Sequence, residues 1–133
     1  MPEGFYDVPE FNPVSSYYLS MKVSYPNASD RVRSDRRTPG GQIYVHGQCV
    51  SIGCVAIEDR QIEEVYLLSL DAQVRRIDLF PFRMTSEAMK QAGESPLIGF
   101  WRELEPGYAQ FEKTQRPALY TVDAKTGAYR VKS

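Results

Sequence analysis

The chain has 133 residues, 42% apolar and 25% charged, which is the composition of a globular domain and not of a disordered segment. Lys and Arg number 16 against 17 Asp and Glu, a formal charge of -1, so the basic excess of a general nucleic-acid binder is missing. The length is that of one domain, no apolar run approaches a membrane span, and no charged-then-apolar leader opens the chain.

In chain order, residues 1–16 carry Pro2, Pro9 and Pro13 and read as an irregular lead-in. Tyr17, Leu19, Met21, Val23 and Tyr25 then alternate with Tyr18, Ser20, Lys22 and Ser24. Period two predicts a half-buried strand that ends at Pro26 and needs no functional account. Residues 26–41 read as a long loop holding Arg31, Arg33, Arg36 and Arg37 and closing with Pro39-Gly40-Gly41. A short strand over 43–45 runs into His46-Gly47. Asp59 is the expected N-cap of a helix with Ile62, Val65, Tyr66 and Ser69 at helical spacing, and Arg75 and Arg76 suit its C-terminal end. Residues 77–82 read as an edge strand. Thr85 or Ser86 caps a short helix that Gly93 ends. Two further helical stretches, 97–104 and 108–113, are separated by Pro106-Gly107, and strands over 118–122 and 128–131 form a hairpin around 123–127. The fold class is α+β, with a modest sheet as its core and several short helices.

The chemistry concentrates in one place. The single His, His46, and both Cys, Cys49 and Cys54, fall within nine residues. Two Cys make no disulfide framework, and their gaps fit no common zinc pattern. A thiol reacts as thiolate, and an imidazole beside it takes its proton, the arrangement that serves acyl transfer. A strand followed by a Gly-containing loop folds Cys54 back toward His46. Gly47 and Gly53 permit close backbone approach and positive φ, amides near Gly53 and Cys54 face a developing oxyanion, and Ser51 hydrogen-bonds within the loop. Plainer readings stand beside these: Cys54 as a buried structural thiol, His46 as a satisfied core histidine, Cys49 as a loop filler or as a redox partner of Cys54. The Arg run reads either as a solvated loop or as an anchor for a substrate carboxylate. Phe100, Trp101, Leu104 and Phe111 read as core or groove lining.

The pattern His46-Gly47-x-Cys49-x-Ser51-x-Gly53-Cys54 resembles the signature of the YkuD-type L,D-transpeptidases. The opening Pro2-Glu3-Gly4-Phe5-Tyr6 is similar to a segment of that family. Ile62-Glu63-Glu64-Val65-Tyr66, Phe80-Pro81-Phe82-Arg83-Met84-Thr85, Phe100-Trp101 and Phe111-Glu112-Lys113 resemble its YafK-like branch. The likeness runs over most of the chain. It implies a single L,D-transpeptidase catalytic domain over residues 1–133, with Cys54 as nucleophile, His46 as general base, and Ser51 and Gly53 in the loop that shapes the oxyanion site. It implies attack on the amide at the L-centre of diaminopimelate in a peptidoglycan stem peptide, and passage of the acyl group to water or to an amine. The implied partners are peptidoglycan stem peptides and a peptidoglycan-linked lipoprotein. No metal or organic cofactor and no nucleic acid is expected, and the implied location is the periplasm. A catalytically inactive peptidoglycan-binding module and a Cys49/Cys54 redox switch are the alternatives.

Three departures from the family pattern carry expectations. Val55 follows the nucleophile where most members have Arg, as in the YafK-like branch, so an Arg of the 31–37 loop is expected to meet the substrate carboxylate. The family's second His is absent, so Tyr18 or a backbone carbonyl has to orient His46. Met1 stands directly before Pro2 where strands and a Gly-Asp-Gly-(Lys/Arg)-Thr stretch usually come first. The expectation is a domain without its N-terminal strands, whose open sheet edge favours an oligomer.

Overall fold

The computed structural model describes residues 1–35, 37, 38, 40–48 and 53–132; Arg36, Cys49 and Ser51 therefore lie outside the described residues. The architecture is the α+β mixture that the sequence pattern predicts, and the chain divides into two compact units. The first comprises residues 1–26 and 40–77, the second residues 27–39 and 78–133.

The first unit is built on a four-stranded sheet in the order β2 (Glu10–Ser15), β3 (Tyr18–Val23), β4 (Ile43–His46), β5 (Val55–Ala56). The lead-in expected over 1–16 is instead β1 (Gly4–Asp7) followed by β2. β1 buries Phe5 and Tyr6 and lies beside β6 (Arg76–Leu79), whose first residues close this unit. Pro13 does not prevent a strand because β2 is at the sheet edge, where a missing N–H costs no ladder bond. β2 and β3 are antiparallel, β3 and β4 antiparallel, β4 and β5 parallel. The expected strand over 17–25 is shorter than predicted because Ser16 and Tyr17 form the turn of the β2–β3 hairpin.

Helix α2 (Asp59–Asp71) packs against β3 and β4. Its buried residues Ile62, Tyr66 and Ser69 follow the helical period, and Tyr66 meets Phe11 of β2 edge to face, ring centroids 5.4 Å apart. Burying each of Ile62 and Tyr66 is worth about 1.5–3 kcal/mol. The N-cap is Glu58, not Asp59, in a capping box with Gln61. Arg75 and Arg76 do not serve the helix C-terminus: the helix stops at Asp71, and Arg76 opens β6, its guanidinium 5.2 Å from the centre of the Phe5 ring.

In the second unit the expected loop contains α1 (Ala28–Arg33). The Asn27 side chain accepts from the Asp30 amide at 3.0 Å, and the Asp30 carboxylate accepts from the Asn27 amide at 2.9 Å, a reciprocal cap that starts a helix too short to show a period. α3 (Ser86–Gln91) is capped by Thr85, as predicted. The two stretches expected around Pro106-Gly107 are one helix, α4 (Ile98–Thr114). Aromatic pairs on both sides of the proline hold the two halves in line: Trp101 meets Phe82 at 5.2 Å, and Tyr108 meets Phe80 at 5.3 Å. Packing thus outweighs the lost backbone hydrogen bond. β7 (Tyr120–Val122) and β8 (Tyr129–Val131) form the expected antiparallel hairpin.

The α1–hairpin junction generates a stability prediction. Gly127 has φ +72°, its carbonyl accepts from the buried Ser29 hydroxyl at 2.5 Å, and an added Cβ would come within 2.9 Å of the Ser29 carbonyl oxygen. Gly127→Ala is expected to cost about 1–3 kcal/mol, read as a drop of several degrees in the thermal midpoint. Gly41→Ala, where an added Cβ meets nothing within 4 Å, is the control and leaves the midpoint nearly unchanged.

Candidate active site

Directly paired residues in a sheet share a face. One row across the sheet therefore runs Asn12, Ser20, His46, Ala56. The adjacent row, Phe11, Met21, Val45 and Val55, lies on the opposite face, toward α2. The next row on the His46 face is Glu10, Lys22, Tyr44, and continuing the parallel register by one residue brings in Cys54. The register thus sets the only His and Cys54 on the same face of adjacent strands, on a diagonal of roughly 8 Å between Cα atoms at ordinary strand spacing and rise.

That face bounds an open groove of about 220 Å³ lined by His46, Cys54, Tyr44, Ser20, Asn12 and Tyr17, among others, all from the first unit. Cys54 is half-buried, its Sγ 3.9 Å from the Gln42 carbonyl oxygen. His46 is 3% exposed. Its Nδ1 bonds to the Gly47 carbonyl oxygen. A carbonyl only accepts, so Nδ1 carries the proton, and the neutral ring keeps its lone pair on Nε2. The backbone carbonyl thus takes the orienting role. Tyr18 does not: its hydroxyl donates to Glu63 of α2. That hydrogen bond, with desolvation and the Glu63 charge after it, raises the Tyr18 phenol above its ordinary value.

The turn after His46 is clamped at three amides. Gly47 donates to the Leu19 carbonyl at 3.2 Å, Ile57 to the His46 carbonyl at 3.0 Å, and Gln48 to the Asp59 carboxylate at 2.8 Å. Asp59, expected as a cap, is instead a helix residue that reaches back to the turn. Gly47 has no room for a side chain: a Cβ would lie 2.7 Å from Asp59 Oδ1 and 3.0 Å from the Tyr17 carbonyl oxygen. Gly53 is required differently, by its φ of +91° with open space around it.

Tyr17 is the site residue that the sequence reading missed. Its ring lies against the His46 imidazole, centroids 4.7 Å apart and planes tilted by 37°. The signal was the Ser15-Ser16 pair between two alternating runs, which marks a hairpin turn. Arg31, Arg33 and Arg37 belong to the second unit. Arg33 is engaged there: its guanidinium forms a 2.7 Å ion pair with Glu103, its Nε donates to the Gly127 carbonyl at 3.1 Å, and it lies over the Phe100 ring. Among the described residues, no group of three or more His, Cys, Asp and Glu is placed to hold a metal, and no helix is long and apolar enough to cross a membrane.

No family model matches the chain. Two curated relatives do, both called "Putative L,D-transpeptidase YafK", from Escherichia coli strain K12 and Escherichia coli O157:H7. Each is 38% identical over 137 residues, and the alignment covers 98% of this chain. Over nearly all of its own length the chain matches a YafK-like L,D-transpeptidase domain. It spans about half the length of these curated YafK relatives, 54% of each.

The single His makes the YafK-like site directly checkable. Nitrogen-detected NMR of ¹⁵N-His-labelled protein at pH 8 is expected to show a protonated Nδ1 and an unprotonated Nε2. The reverse tautomer would contradict the Gly47 hydrogen bond.

Proposed function

We propose that this chain carries a peptidoglycan-acting cysteine acyl-transfer activity over residues 1–133, with Cys54 as nucleophile and His46 as general base. The observation that carries the proposal is the shared groove: a half-buried thiol and an imidazole whose Nε2 is left to accept a proton. The Cys54 proton passes to Nε2, and the thiolate attacks the amide carbonyl at the L-centre of diaminopimelate in a stem peptide. Amides at Gly53 and Cys54 stabilise the oxyanion. Collapse breaks the C–N bond. The leaving amine takes the proton from His46, and a thioester remains on Cys54. Water or an acceptor amine, deprotonated by Nε2, then attacks the thioester and restores the thiol. Hydrolysis of this kind releases a peptidoglycan-linked lipoprotein; transfer to an amine makes a cross-link. Such a substrate places the enzyme in the periplasm.

Intact mass after incubation with tri- and tetrapeptide muropeptides tests the reading. An acyl adduct is expected on the native protein, absent in Cys54→Ala and reduced by about 10²–10⁴-fold in rate in His46→Ala. Product masses separate hydrolysis from transfer. A folded protein that forms no adduct with any muropeptide would overturn the catalytic assignment in favour of a binding module.

A further inference from the structure

The row that ends at Cys54 begins with two charges. Glu10 and Lys22 are directly paired across β2 and β3, on the face of the sheet that carries the groove. Each adjoins a groove-lining residue: Glu10 is two positions before Asn12 on β2, and Lys22 is paired with Tyr44. Lys22 is half-buried, yet among the described residues neither its ammonium nor the Glu10 carboxylate makes a hydrogen bond or an ion pair, with each other or with any neighbour. The groove lining itself is otherwise built of hydroxyl, amide and aromatic groups, with His46 and Cys54.

An ammonium and a carboxylate on neighbouring strands, neither paired among the described residues, suit a ligand that carries both charges on one carbon. We propose that Lys22 and Glu10 together bind the zwitterionic end of a diamino acid, Lys22 taking its carboxylate and Glu10 its ammonium. The inference rests on the acyl-transfer reading above and names its specificity residues. The scale fits. Lys22 stands two strands from Cys54, roughly 10 Å at the strand spacing. In a diaminopimelate substrate five bonds separate the reacting carbonyl carbon from the far α-carbon, roughly 6 Å extended. The Lys22 stem reaches across the remainder. Binding this end seats the reacting carbonyl over Cys54 and supplies the carboxylate contact that Val55 does not provide.

The test uses four stem peptides: one with the free zwitterionic end, one with that carboxylate amidated, one with that amine acetylated, and one with both changes. Acyl-enzyme formation is followed by intact mass in the native chain, Lys22→Gln and Glu10→Gln. The native chain is expected to acylate about ten- to a hundredfold faster on the free peptide than on either singly modified one, the worth of one charge-assisted hydrogen bond. Lys22→Gln is expected to lose the discrimination against the amidated carboxylate and keep that against the acetylated amine; Glu10→Gln is expected to do the reverse. All three proteins are expected to acylate equally on the doubly modified peptide, which also shows that both variants are folded. Unchanged discrimination in both variants, or none in the native chain, would overturn the clamp while leaving the acyl-transfer reading in place. No adduct on any peptide would remove that reading and the clamp with it.

Discussion

A one-residue slip of β4 against β3 would exchange the two faces of the sheet. Val45 would turn to the groove and His46 to the apolar side, under α2. The pairing Ser20 with His46 and Met21 with Val45 is therefore the constraint on which the site depends. It is held by the apolar face, where Met21, Val23 and Val45 are buried and Phe11 meets Tyr66 of the helix that packs on β3 and β4. Burial of one side of the sheet specifies what the other side presents.

The turn after β4 couples the two faces. Gly47 comes so close to the hairpin backbone and to Asp59 that no side chain fits. The Asp59 carboxylate, at the start of α2, holds the Gln48 amide. The helix that covers the apolar face thus also fixes the turn whose carbonyl sets the tautomer of His46. Tyr17, at the tip of the hairpin, closes over the imidazole from the other side. Backbone carbonyl and aromatic ring together hold the imidazole in this arrangement.

Much of this was legible in the sequence, for physical reasons. The alternation through Leu19, Met21 and Val23 reports one buried face, and it placed β3. Thr85, Gly93 and the 123–127 turn act through local chemistry and placed α3 and the last hairpin. What was not legible depended on partners distant in the chain. Pro106 stays inside α4 because Phe80 and Phe82 hold the aromatic side chains on either side of it. α1 begins from a two-residue reciprocal cap, not from a period. β1 and β2 were hidden by prolines that an edge strand tolerates. At the site, the residue types of His46 and Cys54 pointed to the chemistry proposed for them, and Gly47 and Gly53 to backbone needs. The Tyr17 ring contact and the place of Lys22 on the groove face emerged only from the folded chain.

In the proposed mechanism His46 and Cys54 act as one unit across adjacent strands. Its most direct measurement is the rate at which iodoacetamide alkylates Cys54 at pH 7, followed by intact mass in a Cys49→Ser background, with and without His46→Gln. Removing the imidazole is expected to slow alkylation by about tenfold or more, because the thiolate loses the base that forms it. Equal rates in two equally folded proteins would contradict it.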